Sequence, residues 1–187
     1  MPQWIQSIDE AVLRFIALHL RIPALNGAVG AFTHLGDAGA IFLLITAVML
    51  CVRRWRRAGC ATLTGLGLGL IVTNLTIKPL LSRPRPWVVM EGLRALIAES
   101  DPNSFPSGHT CAAFAFAVAL SFELPRTWQK AAALLAAALM GYSRLYVGVH
   151  FPSDVLAGVV IGSLCGLLGG LLARWLLTRW ERRRAAR

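Results

Sequence analysis

His150 and Asp154 stand four residues apart in the stretch SRLYVGVHFPSD, with Arg144 ahead of them. On a helix that spacing stacks both side chains on one face. A carboxylate that bonds one ring nitrogen fixes the imidazole tautomer and leaves the other nitrogen free to attack. The blander alternative is an acid in a helix's first turn, where the dipole favours it. Two further polar clusters bear on the choice: KPLLSRPRP at 78–86 and FPSGHT at 105–110.

Lys78, Arg85 and Arg144 are three cations with few anions to pair them. Each could simply lay its stem along apolar surface and hold its charge among lipid headgroups. His109 could likewise be a lone interfacial histidine. Their joint occurrence weakens these readings, because ionisable groups inside an apolar chain are costly and usually functional. Ser107 and Gly108 fall where an apolar segment begins, and a helix N-terminus offers unpaired N–H groups to an anion. Arginine adds a fork of donors and lysine a point charge. Three cations and a helix N-terminus describe a phosphate cradle. With His150 as nucleophile, His109 is a second imidazole that can protonate a leaving oxygen and then activate water. This is the logic of the catalytic triad with phosphorus as the electrophile.

The elements that must position these groups are apolar. Of 187 residues, 56% are hydrophobic and 15% charged, against roughly 25% charged in soluble domains. Mean hydropathy is +0.61, and several runs reach the roughly 17–25 residues that cross a bilayer. The expected fold is all-α: one polytopic membrane helical bundle over residues 1–187, with five transmembrane helices. These fall near 33–52, 59–81, 107–124, 131–146 and 152–177. Residues 1–22 form an N-terminal helix, either amphipathic or a sixth crossing, with Ile5, Ile8, Val12, Phe15 and Ile16 able to share one face. Gln6, Asp9, Glu10 and Arg14 are too polar for a lipid-facing span. An outer loop covers 83–106, with a short surface helix near 88–98, and a basic tail covers 178–187. The N-terminus lacks a basic stretch followed by a clean apolar core, so no cleavable signal peptide is expected.

Charge sets the orientation. The net charge is +10. The cations cluster beside apolar spans, a pattern that points to membrane topology rather than to nucleic acid. Arg53, Arg54, Arg56, Arg57, Arg126, Lys130 and the C-terminal arginines through Arg187 fall on one side, which the positive-inside rule makes cytoplasmic. Lys78, Arg85, His109, Arg144, His150 and Asp154 fall on the other. Gly158, Gly162, Gly166 and Gly170 repeat every fourth residue, a small-residue stripe that lets helices approach closely. It serves packing inside the bundle or, alternatively, an oligomer seam. Cys51, Cys60, Cys111 and Cys165 form no metal-binding spacing. His19 and His34 lie outside the motifs.

The strings K-PLLSRP-RP from Lys78 to Pro86, PSGH from Pro106 to His109 and SR-LYVGV-H-FPS-D from Ser143 to Asp154 resemble the three signatures of the type-2 phosphatidic acid phosphatases. That superfamily includes lipid phosphate phosphatases and the vanadium haloperoxidases. The resemblance implies a helical bundle with its site at the outer membrane face. It implies His150 as nucleophile, Asp154 as its partner and His109 as general acid and then base. Lys78, Arg85, Ser107, Gly108 and Arg144 would hold the phosphoryl group, and Arg83 is an extra cation for a second phosphate. The resemblance to the phosphatases implies no metal and no other cofactor here, which agrees with the absence of a carboxylate cluster suited to two metals.

The expected function is hydrolysis of a membrane lipid phosphate or diphosphate in a bacterial cytoplasmic membrane. Undecaprenyl diphosphate, converted to undecaprenyl phosphate, leads. Phosphatidylglycerophosphate, phosphatidic acid and lipid A phosphates are alternatives. A lipid phosphotransferase and a non-catalytic membrane scaffold are the other classes; the presence of both histidines argues against the scaffold.

Overall fold

The computed structural model describes residues 1–185, which are helical with no strand among them. Arg187, counted above in the basic tail, lies outside the described residues. Nine α-helices follow in order: α1 Gln3–Phe15, α2 Pro23–His34, α3 Ala40–Cys51, α4 Arg56–Leu70, α5 Lys78–Leu81, α6 Pro86–Val89, α7 Gly108–Ser121, α8 Thr127–Tyr146 and α9 Pro152–Ala185.

Two continuous helical stretches are long and apolar enough to cross a membrane, Arg53–Leu81 and Pro152–Arg184; a third appears if α2 and α3, bent by 45°, count as one crossing. This is fewer than the five expected. One reason is α7, whose 14 residues rise only about 21 Å at 1.5 Å each, short of a hydrocarbon core of about 30 Å. The stretch expected to begin near residue 33 is instead broken between α2 and α3. Ala38 and Gly39 there both take positive φ, and a left-handed pair ends one helix and redirects the next.

α7 sits at the centre, packed by α4, α8 and α9. Its small residues allow this, with Ala113, Ala115, Ala117 and Ala119 all buried. The glycine stripe of α9 faces α7 of the same chain. A Cβ on Gly162 would lie 2.4 Å from the Cys111 carbonyl oxygen, and one on Gly166 would lie 2.6 Å from that of Ala115. The stripe is therefore spent on packing within the bundle and is not free to form an oligomer seam.

Between α4 and α5 the helix widens into a π-helical stretch, Ile71–Ile77. Such widening rephases the residues that follow. Lys78 turns inward at 7% exposure while Leu80 stays 76% exposed. The expected helix over 88–98 is mostly absent, since α6 ends at Val89. The loop's backbone groups are used elsewhere: Leu96 N–H donates to the Val147 carbonyl at 2.9 Å, and Arg21 donates to the Arg94 carbonyl at 3.0 Å. The expected tail is helical through Ala185. Ion pairs Arg57–Glu181 and Arg174–Glu123 gather the basic segments at one end of the bundle. The three motifs meet at the other.

Candidate active site

A cavity of about 460 Å³ opens at that end, and its lining includes Lys78, Arg85, Gly108, His109 and His150. Five of the expected residues thus line one cavity. Arg144 stands behind the lining, fully buried, and reaches it through His109, whose Nε2 is 3.3 Å from its Nη1. Apolar residues share the lining, with Leu43 from α3 and Leu63, Leu66 and Leu70 from α4. Leu43, Leu63 and Leu70 are also solvent-exposed.

His150 precedes α9 rather than riding on it. The helix starts at Pro152, a residue suited to a first helical turn that also disfavours helix before it. His150 and Asp154 therefore straddle a helix start and do not stack on one helical face. His150 is 1% exposed. Its Nε2 lies 3.0 Å from Arg85 Nη1; a guanidinium only donates, so Nε2 carries the lone pair and Nδ1 the proton. Nδ1 points toward Asp154 Oδ2 at 3.5 Å, too long for a hydrogen bond, and finds no other partner. Burial pushes the His150 pKa well below the usual imidazole value, and Arg85, Arg144, Lys78 and His109 push it the same way.

Asp154 is held by a network that the sequence does not announce. Arg83 Nη1 donates to its Oδ1 at 2.6 Å. Its Oδ2 accepts from the Phe151 N–H at 2.8 Å and from the Ser104 hydroxyl. Arg83 Nη2 in turn donates to Asp9 and Gln6 of α1, both at 2.7 Å. Arg83 is thus absent from the cavity lining, its guanidinium committed to protein partners. A second-phosphate contact finds no support in this placement.

The cradle cations are paired by two acids of the outer loop. Asp101 meets Lys78 and lies 3.7 Å from Arg85 Nη2. Glu99 meets Arg144 and lies 4.0 Å from Arg85 Nη1. Burial raises the Asp101 pKa, but the bonds from Lys78 and the Asn103 N–H outweigh it and leave it lowered. An isolated antiparallel bridge between Pro84 and Asn103 holds the two loop ends together. At the start of α7, Ser107 is spent locally: its N–H donates to the Asp154 carbonyl at 3.0 Å and its hydroxyl caps Thr110. The next N–H groups, on Gly108 and His109, have no acceptor among the described residues and remain open to an anion. Asn74 from the π-helical stretch also lines the cavity. No group of three or more His, Cys, Asp or Glu among the described residues could hold a metal ion.

Asp9, Asp37, Thr33, Asn74, Glu99, Asp101 and Ser104 were not singled out by the motifs. The one available signal was acidity: Asp9, Asp37, Glu99 and Asp101 are four of only 9 carboxylates in an apolar chain.

A buried histidine whose lone pair faces Arg85 Nη1, ringed by cations and open helix N–H groups at the end of an apolar bundle, defines a membrane phosphoryl-transfer site. Residues 58–182 match the PAP2 superfamily, and the chain belongs to that family. It is 29% identical to the undecaprenyl-diphosphatase of Sulfolobus acidocaldarius over 79% of this chain and 70% of that one. It is 26% identical to the lipid A 4′-phosphatase of Bacteroides thetaiotaomicron over 97% and 84%. The crystal structure of a PAP2-type phosphatidylglycerolphosphate phosphatase from Bacillus subtilis superposes with a TM-score of 0.75 at 31% identity, covering 91% of this chain and 86% of the other. The protein is thus an all-α membrane phosphatase acting on a lipid phosphate or diphosphate ester.

Proposed function

We propose that the chain hydrolyses a phosphate monoester on a membrane lipid through a phosphohistidine on His150. The observation that carries this reading is the mixed lining of the cavity: first Lys78, Arg85, His109 and His150, with Arg144 behind His109, and second the leucines of α3 and α4. A headgroup phosphate fits the first and a lipid chain the second.

His150 Nε2 attacks phosphorus, and His109 protonates the leaving oxygen, then deprotonates the water that cleaves the P–N bond. Lys78, Arg85, Arg144 and the N–H groups of Gly108 and His109 hold the equatorial oxygens as their charge grows. Asp154 fixes the loop that carries His150, through the Phe151 N–H.

The cation count favours a monoester. Arg83, the extra cation expected for a second phosphate, is occupied elsewhere. Phosphatidylglycerophosphate, phosphatidic acid and lipid A phosphates therefore rank ahead of undecaprenyl diphosphate, which the Sulfolobus relative keeps as a second reading. The setting is a bacterial cytoplasmic membrane crossed more than once, with the site on the outer face and the C-terminus inside, as the positive-inside rule reads the charges.

The test is phosphate release by purified protein from a panel of mono- and diphosphate lipids, with and without EDTA. Release from monoesters, unaffected by EDTA and lost by at least about a thousandfold in His150→Ala, is expected. Activity of His150→Ala near wild type removes the phosphohistidine. Transfer to a second lipid without free phosphate makes the protein a phosphotransferase.

A further inference from the structure

The geometry assigns Asp37, on the bend between α2 and α3, as the carboxylate that orients His109 and fixes which of its nitrogens moves protons. This rests on the phosphatase reading above, in which His109 is general acid and base. The pairing is better formed than the one between His150 and Asp154. His109 Nε2 lies 2.9 Å from Asp37 Oδ1, whereas His150 and Asp154 stand 3.5 Å apart.

The bend is built for this contact. Asp37 opens a single 3-10 turn, Asp37–Gly39, and Ala38 and Gly39 follow with φ of 50° and 73°. Gly36 sits directly under the His109 ring: a Cβ there would lie 2.6 Å from His109 Cδ2. Any side chain at this position would lift the ring off the bend. The second oxygen of Asp37 is taken by His34 Nδ1 at 2.7 Å. His34 and Asp37 are 51% and 53% exposed, so the carboxylate is tied down from the solvent side while its other oxygen meets the active-site ring.

The tautomer follows. Arg144 Nη1 also approaches His109 Nε2, at 3.3 Å, but it donates to Thr33 Oγ1 at 2.9 Å. A carboxylate accepts only, so the shorter Asp37 contact puts a proton on Nε2. His109 Nδ1 makes no hydrogen bond, is not sealed by burial, and its ring lines the cavity. Nδ1 is therefore the working atom. In the first step the His150 Nε2 pair forms the P–N bond, and the P–O bond breaks with its electrons on oxygen. That oxygen takes the Nδ1 proton. His109 is then neutral with Nε2–H still on Asp37. In the second step the freed Nδ1 pair takes a proton from water as its oxygen attacks phosphorus, and the P–N pair returns to His150. Asp37 stabilises the imidazolium on both sides of the cycle and is a positioning residue that touches no substrate.

Leaving-group chemistry separates this role from a structural one. An alkyl alcohol must be protonated as it leaves; a nitrophenolate need not be. Single-turnover release of alcohol from an alkyl phosphate lipid and of nitrophenolate from nitrophenyl phosphate is measured for wild type, Asp37→Asn, His109→Ala and the double variant. The expected result is an Asp37→Asn loss on the order of 10²-fold or more for the alkyl ester, with nitrophenolate release largely unchanged. Asp37→Asn should add nothing in the His109→Ala background. Equal slowing of both leaving groups, no slowing of either, or a further loss in the double variant overturns the assignment. A wild-type chain that releases neither alcohol overturns the phosphatase reading and this assignment with it.

Discussion

Replacing Arg83 by alanine separates two accounts of that residue. Arg83 is 6% exposed, and its guanidinium joins Asp9, 2% exposed, to Asp154, which is fully buried. Both contacts are short, 2.7 and 2.6 Å, and the guanidinium also stacks 4.1 Å over the Phe151 ring. Deleting it leaves two carboxylates buried without a cation. Breaking a buried pair in this way costs about 3–5 kcal/mol. At about 2–4 °C per kcal/mol for a chain of this size, the melting temperature should fall roughly 6–20 °C. Turnover should fall for every substrate alike, because Asp154 positions the His150 loop. Adding Asp9→Asn to Arg83→Ala removes one orphaned charge and should recover part of the loss. The assays are thermal melts in detergent and phosphate release from mono- and diphosphate lipids. An Arg83→Ala protein that melts like wild type and loses activity only on diphosphates would refute this reasoning and restore the second-phosphate contact.

Two other outcomes follow from the geometry. The folded chain keeps His150 neutral well below the usual value near 6.5. The unfolded chain binds more protons below that pH, so stability should fall as pH drops through about 6.5 and continue falling toward the folded pKa. His150→Gln should flatten that slope in melts taken from pH 7.5 to 5, roughly the window set by these values; an unchanged slope would remove His150 as its cause. Gly162→Ala should force α9 off α7, whose Cys111 carbonyl stands 2.4 Å from the new Cβ. It should destabilise by about 1–3 kcal/mol with no change in oligomeric state on size-exclusion chromatography. A stable variant that changes its oligomeric state would return the stripe to an intermolecular role.

The motifs made the chemistry legible because their residue types are conspicuous in an apolar chain. Lys78, Arg85, His109 and His150 do meet at one cavity. What stayed hidden was pairing across long sequence distances. Asp9 read as a residue too polar for lipid; it is the buried partner of an arginine 74 positions on. Asp37 carries no motif, and only the turn through Ala38 and Gly39 brings it to His109. Hydropathy located the two long stretches, Arg53–Leu81 and Pro152–Arg184, but blurred the break at 35–39, since the apolar pattern runs on either side of it. Loop 83–106 has no period to read, and its shape follows from contacts with α1, α8 and α9.

Glu99 and Asp101 give the cations of the site a resident pair of anions. On the proposed reading an arriving phosphate enters by exchange: carboxylates step off Lys78 and Arg144 as phosphoryl oxygens step on. Each cation trades one anionic partner for another and is never left bare in a poorly hydrated pocket, where an unpaired charge costs most. The trade tempers affinity, since only the difference between the two sets of contacts is gained. It also runs backwards. When inorganic phosphate is the product, the same carboxylates compete for the cations it leaves, so a cradle strong enough to steady a transition state need not become a trap for its own product.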